Sequence, residues 1–181
     1  PSGYCNFSKR EIAANPSLFY GELPKEQYHL TKAILVHEAG HRRFTTPHKV
    51  SSLVHLVSNI LEDERIERQM CAEFAGVRWL IRRLSRQLYE ESKPVDGESD
   101  SPGQVVAYFL QLRWANRIGQ SIKGKLSQKN LELWKKVESL VYEAWEAETS
   151  EVVDQKAQKI VDILGLKEFE IPEWLKDILD K

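Results

Sequence analysis

Val36-His37-Glu38-Ala39-Gly40-His41-Arg42 is a copy of the H-E-x-x-H pattern, set in a stretch of helical periodicity. Nothing else in the 181 residues constrains the chain as tightly. On a helix, one turn separates His37 from His41, so both imidazoles leave one face and can grip one cation. Glu38 projects beside them, close enough to take a proton from a water held there. Two nitrogens do not complete a metal site, so the fold must supply a third donor from a separate segment. The expected chemistry is that of a zinc-dependent hydrolase, with a peptidase as the leading reading.

Helical periodicity extends around the motif. From about Lys25 to Arg43, Leu30, Ala33, Ile34 and His37 share a side, so the histidines prolong an inward-facing stripe. Thr45-Thr46-Pro47 ends that helix. A long second helix is expected from about His48 to Tyr89, with a break near Gly76. The polar stretch from Ser92 to Gly103, with its Pro and Gly residues, is the one clear linker. Further helices are expected over 104–118, over 127–147, and from Thr149 or Ser150 to Leu164. Thr149-Ser150-Glu151 caps the last of these and Gly165 stops it. A final short helix starts at Ile171-Pro172-Glu173-Trp174.

Upstream, residues 3–14 alternate weakly, and a hairpin turning at Ser8-Lys9-Arg10 competes with coil. A hairpin would set an edge beside the active helix, where an extended peptide can add as a strand. The expected fold is mainly α. Residues 1–92 form the metal-binding core, 93–103 the linker, and 104–181 a helical extension packed on that core, unless all three make a single domain.

The second helix offers four carboxylates in six positions, and helical geometry has to choose among them. At about 100° per residue, Val50, Leu53, Val54, Val57, Ile60 and Leu61 cluster on one side. Ile66, Met70, Phe74 and Val77 cluster on another, so the buried face shifts around the helix. Asp63 and Glu67, one turn apart, fall on the border of both arcs. Glu62 points away from the first arc, and Glu64 falls in its middle. A ligand must be buried enough to meet the histidines, which favours Asp63, with Glu62 in reserve. Glu67 is then placed to orient a ligand histidine, helped by Asn59. The competing reading is a solvated acidic face paired with Arg65 and Arg68.

Composition excludes little but is informative about partners. The 26 basic and 27 acidic residues leave a net charge of −1, so a nucleic-acid partner is not expected. No apolar run approaches the roughly 20 residues of a membrane helix. Cys5 and Cys71 read as ordinary thiols and favour a reducing, cytoplasmic setting. A chain opening on Pro1 reads as a piece of a longer one. Trp114, Trp134, Trp145 and Trp174 read as packing anchors for the C-terminal helices.

Two weaker signals are set aside. Gly119-Gln120-Ser121-Ile122-Lys123-Gly124-Lys125-Leu126 nearly matches a phosphate-binding loop, but Leu126 replaces the required hydroxyl and a helix precedes it. It reads as a helix–helix turn. Arg78, Arg82, Arg83 and Arg86 form a basic stripe, read as a solvated face paired with Glu90, Glu91 and other acids. Tyr28, His48, His55 and Tyr89 are candidate donors to a developing oxyanion, with no basis for choosing among them.

The segment Asn59-Ile60-Leu61-Glu62-Asp63-Glu64-Arg65-Ile66-Glu67, taken with His37-Glu38-Ala39-Gly40-His41, resembles zincin-like bacterial and phage metallopeptidase domains found beside von Willebrand factor A domains. The same segment is similar to one in von Willebrand-type subunits related to cobalt chelatase. The resemblance covers about residues 30–70. Related domains carry a segment reading Asn-Ile-Ala-Ala-Asp followed by Ile-Asn. Its aspartate falls on Asp63 and its last Asn on Glu67, whereas glutamate-type zincins would place Glu62 there.

The resemblance implies a zincin-like core, Zn2+ as cofactor, and a peptide or protein substrate hydrolysed with Glu38 as general base. It also implies a von Willebrand A domain or an AAA-type ATPase as partner. The alternative is a non-catalytic, metal-stabilised helical module that binds such partners.

Overall fold

The computed structural model describes residues 3–6, 8–9, 11–14 and 25–175, and they are mainly helical. β1 (Gly3–Asn6) and β2 (Glu11–Ala14) pair antiparallel, with Gly3 opposite Ala14 and Asn6 opposite Glu11. Asn6 Oδ1 closes the turn, accepting from Ser8 Oγ at 2.8 Å and from the Lys9 N–H at 3.0 Å. Residues 3–6 and 11–14 are thus paired strands and not coil, and Arg10 of the expected turn lies outside the described residues. Both strands pack on α1 (Lys25–Phe44), the helix that carries the H-E-x-x-H motif.

The helix expected from His48 to Tyr89 is shorter at its start and divided in its middle. Residues 45–51 are not helical, since Pro47 lacks an N–H and biases Thr46 away from the α region. Val50, expected on the buried arc, therefore lies outside the helix and is exposed. α2 runs Ser52–Glu73 and ends where Phe74 turns to φ −123°, ψ 90°. A 3-10 turn spans Ala75–Val77 around Gly76, and α3 resumes at Arg78–Glu91. Phe74, expected on the second apolar arc, sits exposed in this break. The redirected α3 packs on α1, where its Leu80 and Leu84 meet Ala33 and Ile34.

α4 (Gly103–Ile118), α5 (Gln128–Trp145) and α6 (Ser150–Leu164) follow, with a 3-10 turn at Glu168–Glu170. Thr149 Oγ1 caps α6 by accepting from the Val152 N–H, and Gly165 ends it in the left-handed conformation. Ser127 caps α5 in the same way through Asn130. The last short helix is described only through Leu175; residues 176–181 lie outside the described residues.

One apolar core joins α2 to α4, α5 and α6. Val57, Ile60 and Leu61 of α2 meet Phe109 and Trp114 of α4, Val141 and Trp145 of α5, and Ile160 of α6. Trp114 and Trp145 are almost fully buried, Trp134 is buried beside them, and Trp174 packs at the edge. The four are anchors of the core, as expected. No helix among the described residues is long and apolar enough to cross a membrane.

The stretch around residues 92–103 is pinned and not free. Val95 is buried and its N–H donates to Lys123 O at 2.9 Å. Lys123 Nζ in turn donates to Tyr89 O and Ser92 O at 2.5 and 2.9 Å. A side chain at Gly124 (φ +79°) would collide with the Val95 backbone. The Gly-Lys-rich segment that mimicked a phosphate loop is thus a turn that grips the α3–α4 connection.

Gly40 decides how close α1 comes to α2. A Cβ there would lie 3.1 Å from Met70 Cγ and 3.2 Å from Ile66 Cδ1, which is tighter than ordinary packing. Replacing it with valine is expected to force the helices apart and cost about 1–3 kcal/mol. Urea unfolding of Gly40→Val checks this; a stability equal to wild type would show that the contact is slack.

Candidate metal centre

α1 presents His37 and His41 one turn apart, and α2 crosses beneath with Asp63 on the facing side. His37 Nε2 and His41 Nε2 are 3.2 Å apart, with Asp63 Oδ1 at 3.6 and 3.0 Å from them. These three atoms form the one candidate metal-holding group among the described residues. Donors about 2.0–2.1 Å from a shared tetrahedral cation sit roughly 3.3 Å apart, so the spacing fits a small ion. The three side chains keep 12–15% exposure, which leaves a path for water.

Both imidazoles are oriented through Nδ1. His37 Nδ1 lies 2.8 Å from Glu67 Oε1, an ionised carboxylate that can only accept. His37 therefore carries its proton on Nδ1 and turns the Nε2 lone pair inward. His41 reaches a carboxylate indirectly. Its Nδ1 lies 3.1 Å from Thr45 Oγ1, whose own proton goes to Glu62 Oε1 at 2.8 Å. Thr45 must then accept from His41 Nδ1–H, and the second Nε2 lone pair also points inward. Two imidazole lone pairs and a carboxylate oxygen thus converge, and such an arrangement repels itself unless positive charge sits at its centre.

Two arginines of α4 hold the acids in place. Arg113, on the wall opposite the histidines, donates from Nη1 to Asp63 Oδ2 at 2.8 Å and from Nη2 to Glu67 Oε1 at 3.0 Å. Asp63 is thereby clamped by one oxygen, with the other aimed at the histidines. One turn on, Arg117 bonds Glu67 Oε2 and Glu64. Glu62 is not at the histidines. Arg65 Nη2 holds it at 2.6 Å, and Ser150 Oγ donates to it at 2.8 Å. Asn59, one turn before Asp63, is half-buried and makes no side-chain hydrogen bond among the described residues. The acidic turn is not a solvated face: Glu62, Glu64 and Glu67 are all buried.

Electrostatics follow from this wiring. Burial opposes the charge on Asp63, yet Arg113 foremost, then His37 and His41, hold its carboxyl well below the usual range. Glu67 is likewise held far down against burial by Arg113 and Arg117. Burial would lower the His37 pKa, but the Asp63 charge and the Glu67 hydrogen bond outweigh it and raise the value. Glu38, half-buried beside the histidines, has its pKa raised by desolvation, only partly offset by His37 and His41. Glu64 is also raised, since burial outweighs Arg117.

No family model matches this chain. Nor does any curated protein or solved structure. The reading of the site therefore stands on its own geometry.

Of the candidate oxyanion donors, two are engaged elsewhere. His48 Nδ1 pairs with Asp154 at 2.9 Å, and the Tyr89 hydroxyl donates to Ser121 O at 2.6 Å. Tyr28 is exposed with Lys32 over its ring, and His55 is exposed on α2. Thr45, Arg113 and Arg117 are the working residues that sequence reasoning passed over. Thr45 had a signal, lying one turn beyond His41; the arginines had none, being 46–53 residues from their partners.

With no cation bound, the shifts set a stability window. The raised His37 pKa stabilises fully below about pH 6.5, and that contribution is lost as pH rises through the folded value. The depressed Asp63 and Glu67 stabilise above about pH 4, and that is lost as pH falls. Chelated protein should therefore lose Tm as pH rises above about 6.5, and His37→Gln should not show that decline. Zinc in excess should reverse the trend, because the metal competes with the proton. Thermal unfolding across this range, with and without EDTA, checks the signs.

Proposed function

We propose that this chain is a zinc-dependent metallopeptidase-like domain of the zincin kind. His37, His41 and Asp63 are the metal ligands and Glu38 is the general base. One observation carries the reading: three inward lone pairs at metal-ligand spacing beside a carboxylate that has no hydrogen-bond or ion-pair partner among the described residues. Two imidazoles and one carboxylate suit zinc, whereas magnesium and calcium favour oxygen ligands throughout. Bound there, zinc would supply a Lewis acid and bring the pKa of a water to about 7.

The chain's own groups supply the rest. Glu38 takes the proton of the attacking water and returns it to the leaving amine; its raised pKa brings it closer to the water it serves. Glu67 and the Thr45–Glu62 pair hold the imidazoles in one tautomer throughout. Asp63 keeps its charge because Arg113 opposes protonation. The hairpin on α1 supports a peptide as substrate, since its strands offer an edge for an extended chain.

Metal analysis of purified protein together with cleavage of a peptide library tests the proposal. Wild type should hold one zinc and cleave. Glu38→Gln should keep the metal and lose about 10²–10⁴-fold in rate, while His41→Ala should lose the metal. Stoichiometric zinc with no cleavage by wild type would instead mark a non-catalytic module that meets a von Willebrand A domain or an AAA-type ATPase. A wild-type chain without stoichiometric metal refutes both.

A further inference from the structure

Across Glu67 from the histidines lies a cavity of about 600 Å³, within the range of small-molecule sites. α2, α3 and α4 form its walls, and four arginines line it: Arg68, Arg78, Arg82 and Arg117. Two of these are already matched. Arg68 donates to Glu64 at 2.8 Å and also bonds Glu146. Arg117 bonds Glu64 and Glu67, the two acids of the lining.

Arg78 and Arg82 are not matched. Neither meets a carboxylate at ion-pair distance among the described residues. They make long donations from Nη2, to Cys71 O and to Ile118 O, each at 3.5 Å. Nor do they pair with the acids at the end of α3, where Glu91 accepts instead from Gln87 at 2.6 Å. One helical turn separates Arg78 from Arg82, so both forks reach the same wall. Each fork carries five N–H donors in a plane. Both are exposed at the cavity, and two guanidinium charges bordering one cavity without a carboxylate on either suit a dianion; a phosphate monoester carries about −1.5 to −2 at neutral pH.

Trp79 adds a second requirement. It lines the same cavity, yet it is 48% exposed, whereas Trp114, Trp134 and Trp145 are buried. An edge-on contact with the His29 ring, at 4.9 Å between centroids, fixes the indole. Asn116 on α4 brings an exposed amide to the opposite wall, able to pair with a polar ring edge.

We propose that this cavity binds a small phosphorylated ligand carrying a flat ring, a nucleoside monophosphate in class. Arg78 and Arg82 take the phosphate and Trp79 stacks on the ring. The site is independent of the metal reading: it uses neither the histidines nor Glu38. A nucleic-acid strand fits less well, since the whole chain carries a net charge of −1.

Calorimetric titration of the full chain with AMP, inorganic phosphate and adenosine tests the proposal. AMP should bind, and phosphate and adenosine should each bind about tenfold more weakly or worse. Arg78→Gln and Arg82→Gln should each weaken AMP about tenfold. Trp79→Ala should weaken AMP and leave phosphate unchanged. Arg86→Gln, exposed on the same helix, is the control and should bind like wild type. Unchanged thermal unfolding in each variant separates lost binding from lost folding. No heat with AMP at millimolar concentration overturns the proposal, as does binding insensitive to both arginine variants. An oligonucleotide that binds more tightly than AMP, with a steep salt dependence, would replace the small ligand by a strand and overturn it too.

Discussion

Arg113 holds Asp63 and Glu67 at once, and the geometry of the candidate site depends on that double contact. It is almost fully buried on α4, in the position before Trp114 of the apolar core. Buried ion pairs of this kind contribute little net stability, because desolvation offsets attraction. Their value here is directional. One guanidinium fixes Asp63 Oδ2 and Glu67 Oε1, and so fixes what remains free to face α1: one aspartate oxygen and one acceptor for His37 Nδ1.

The second histidine is secured by a different route with the same logic. Thr45 passes the demand of His41 to Glu62, and Glu62 is held by Arg65. Arg65 also donates to Phe44 O at 2.7 Å and to Glu148 O at 3.3 Å, tying the end of α1 to the entry of α6. Ser150 closes the loop on Glu62. Each imidazole therefore has a carboxylate behind it and an arginine behind the carboxylate. Residues beyond the α3–α4 connection supply Arg113, Arg117 and Ser150, so the C-terminal helices build the site as much as the motif does.

Local signals read well from sequence and long-range ones did not. The motif helix, the caps of α6 and the break near Gly76 each follow from a few neighbouring residues. Asp63, and not Glu62, meets the histidines, because a border position between two buried arcs points into the helix crossing. Val50 and Phe74 leave those arcs, since periodicity does not reveal where a helix stops. Glu62 and Thr45 were legible as polar residues but not as a pair, 17 positions apart. The arginine partners of the acids lie on α4, and no local pattern announces an ion pair that tertiary packing creates. Arg78 and Arg82 do face solvent as expected, but they border a cavity with α4 residues and, among the described residues, do not pair with Glu90 or Glu91.

The central claim is that His37, His41 and Asp63 share one zinc ion. X-ray absorption at the zinc edge of the loaded protein tests it most directly. The account predicts only nitrogen and oxygen neighbours at about 2.0–2.1 Å, with outer-shell scattering from two imidazoles. A sulfur shell at about 2.3 Å, or neighbours with no imidazole signature, would contradict it.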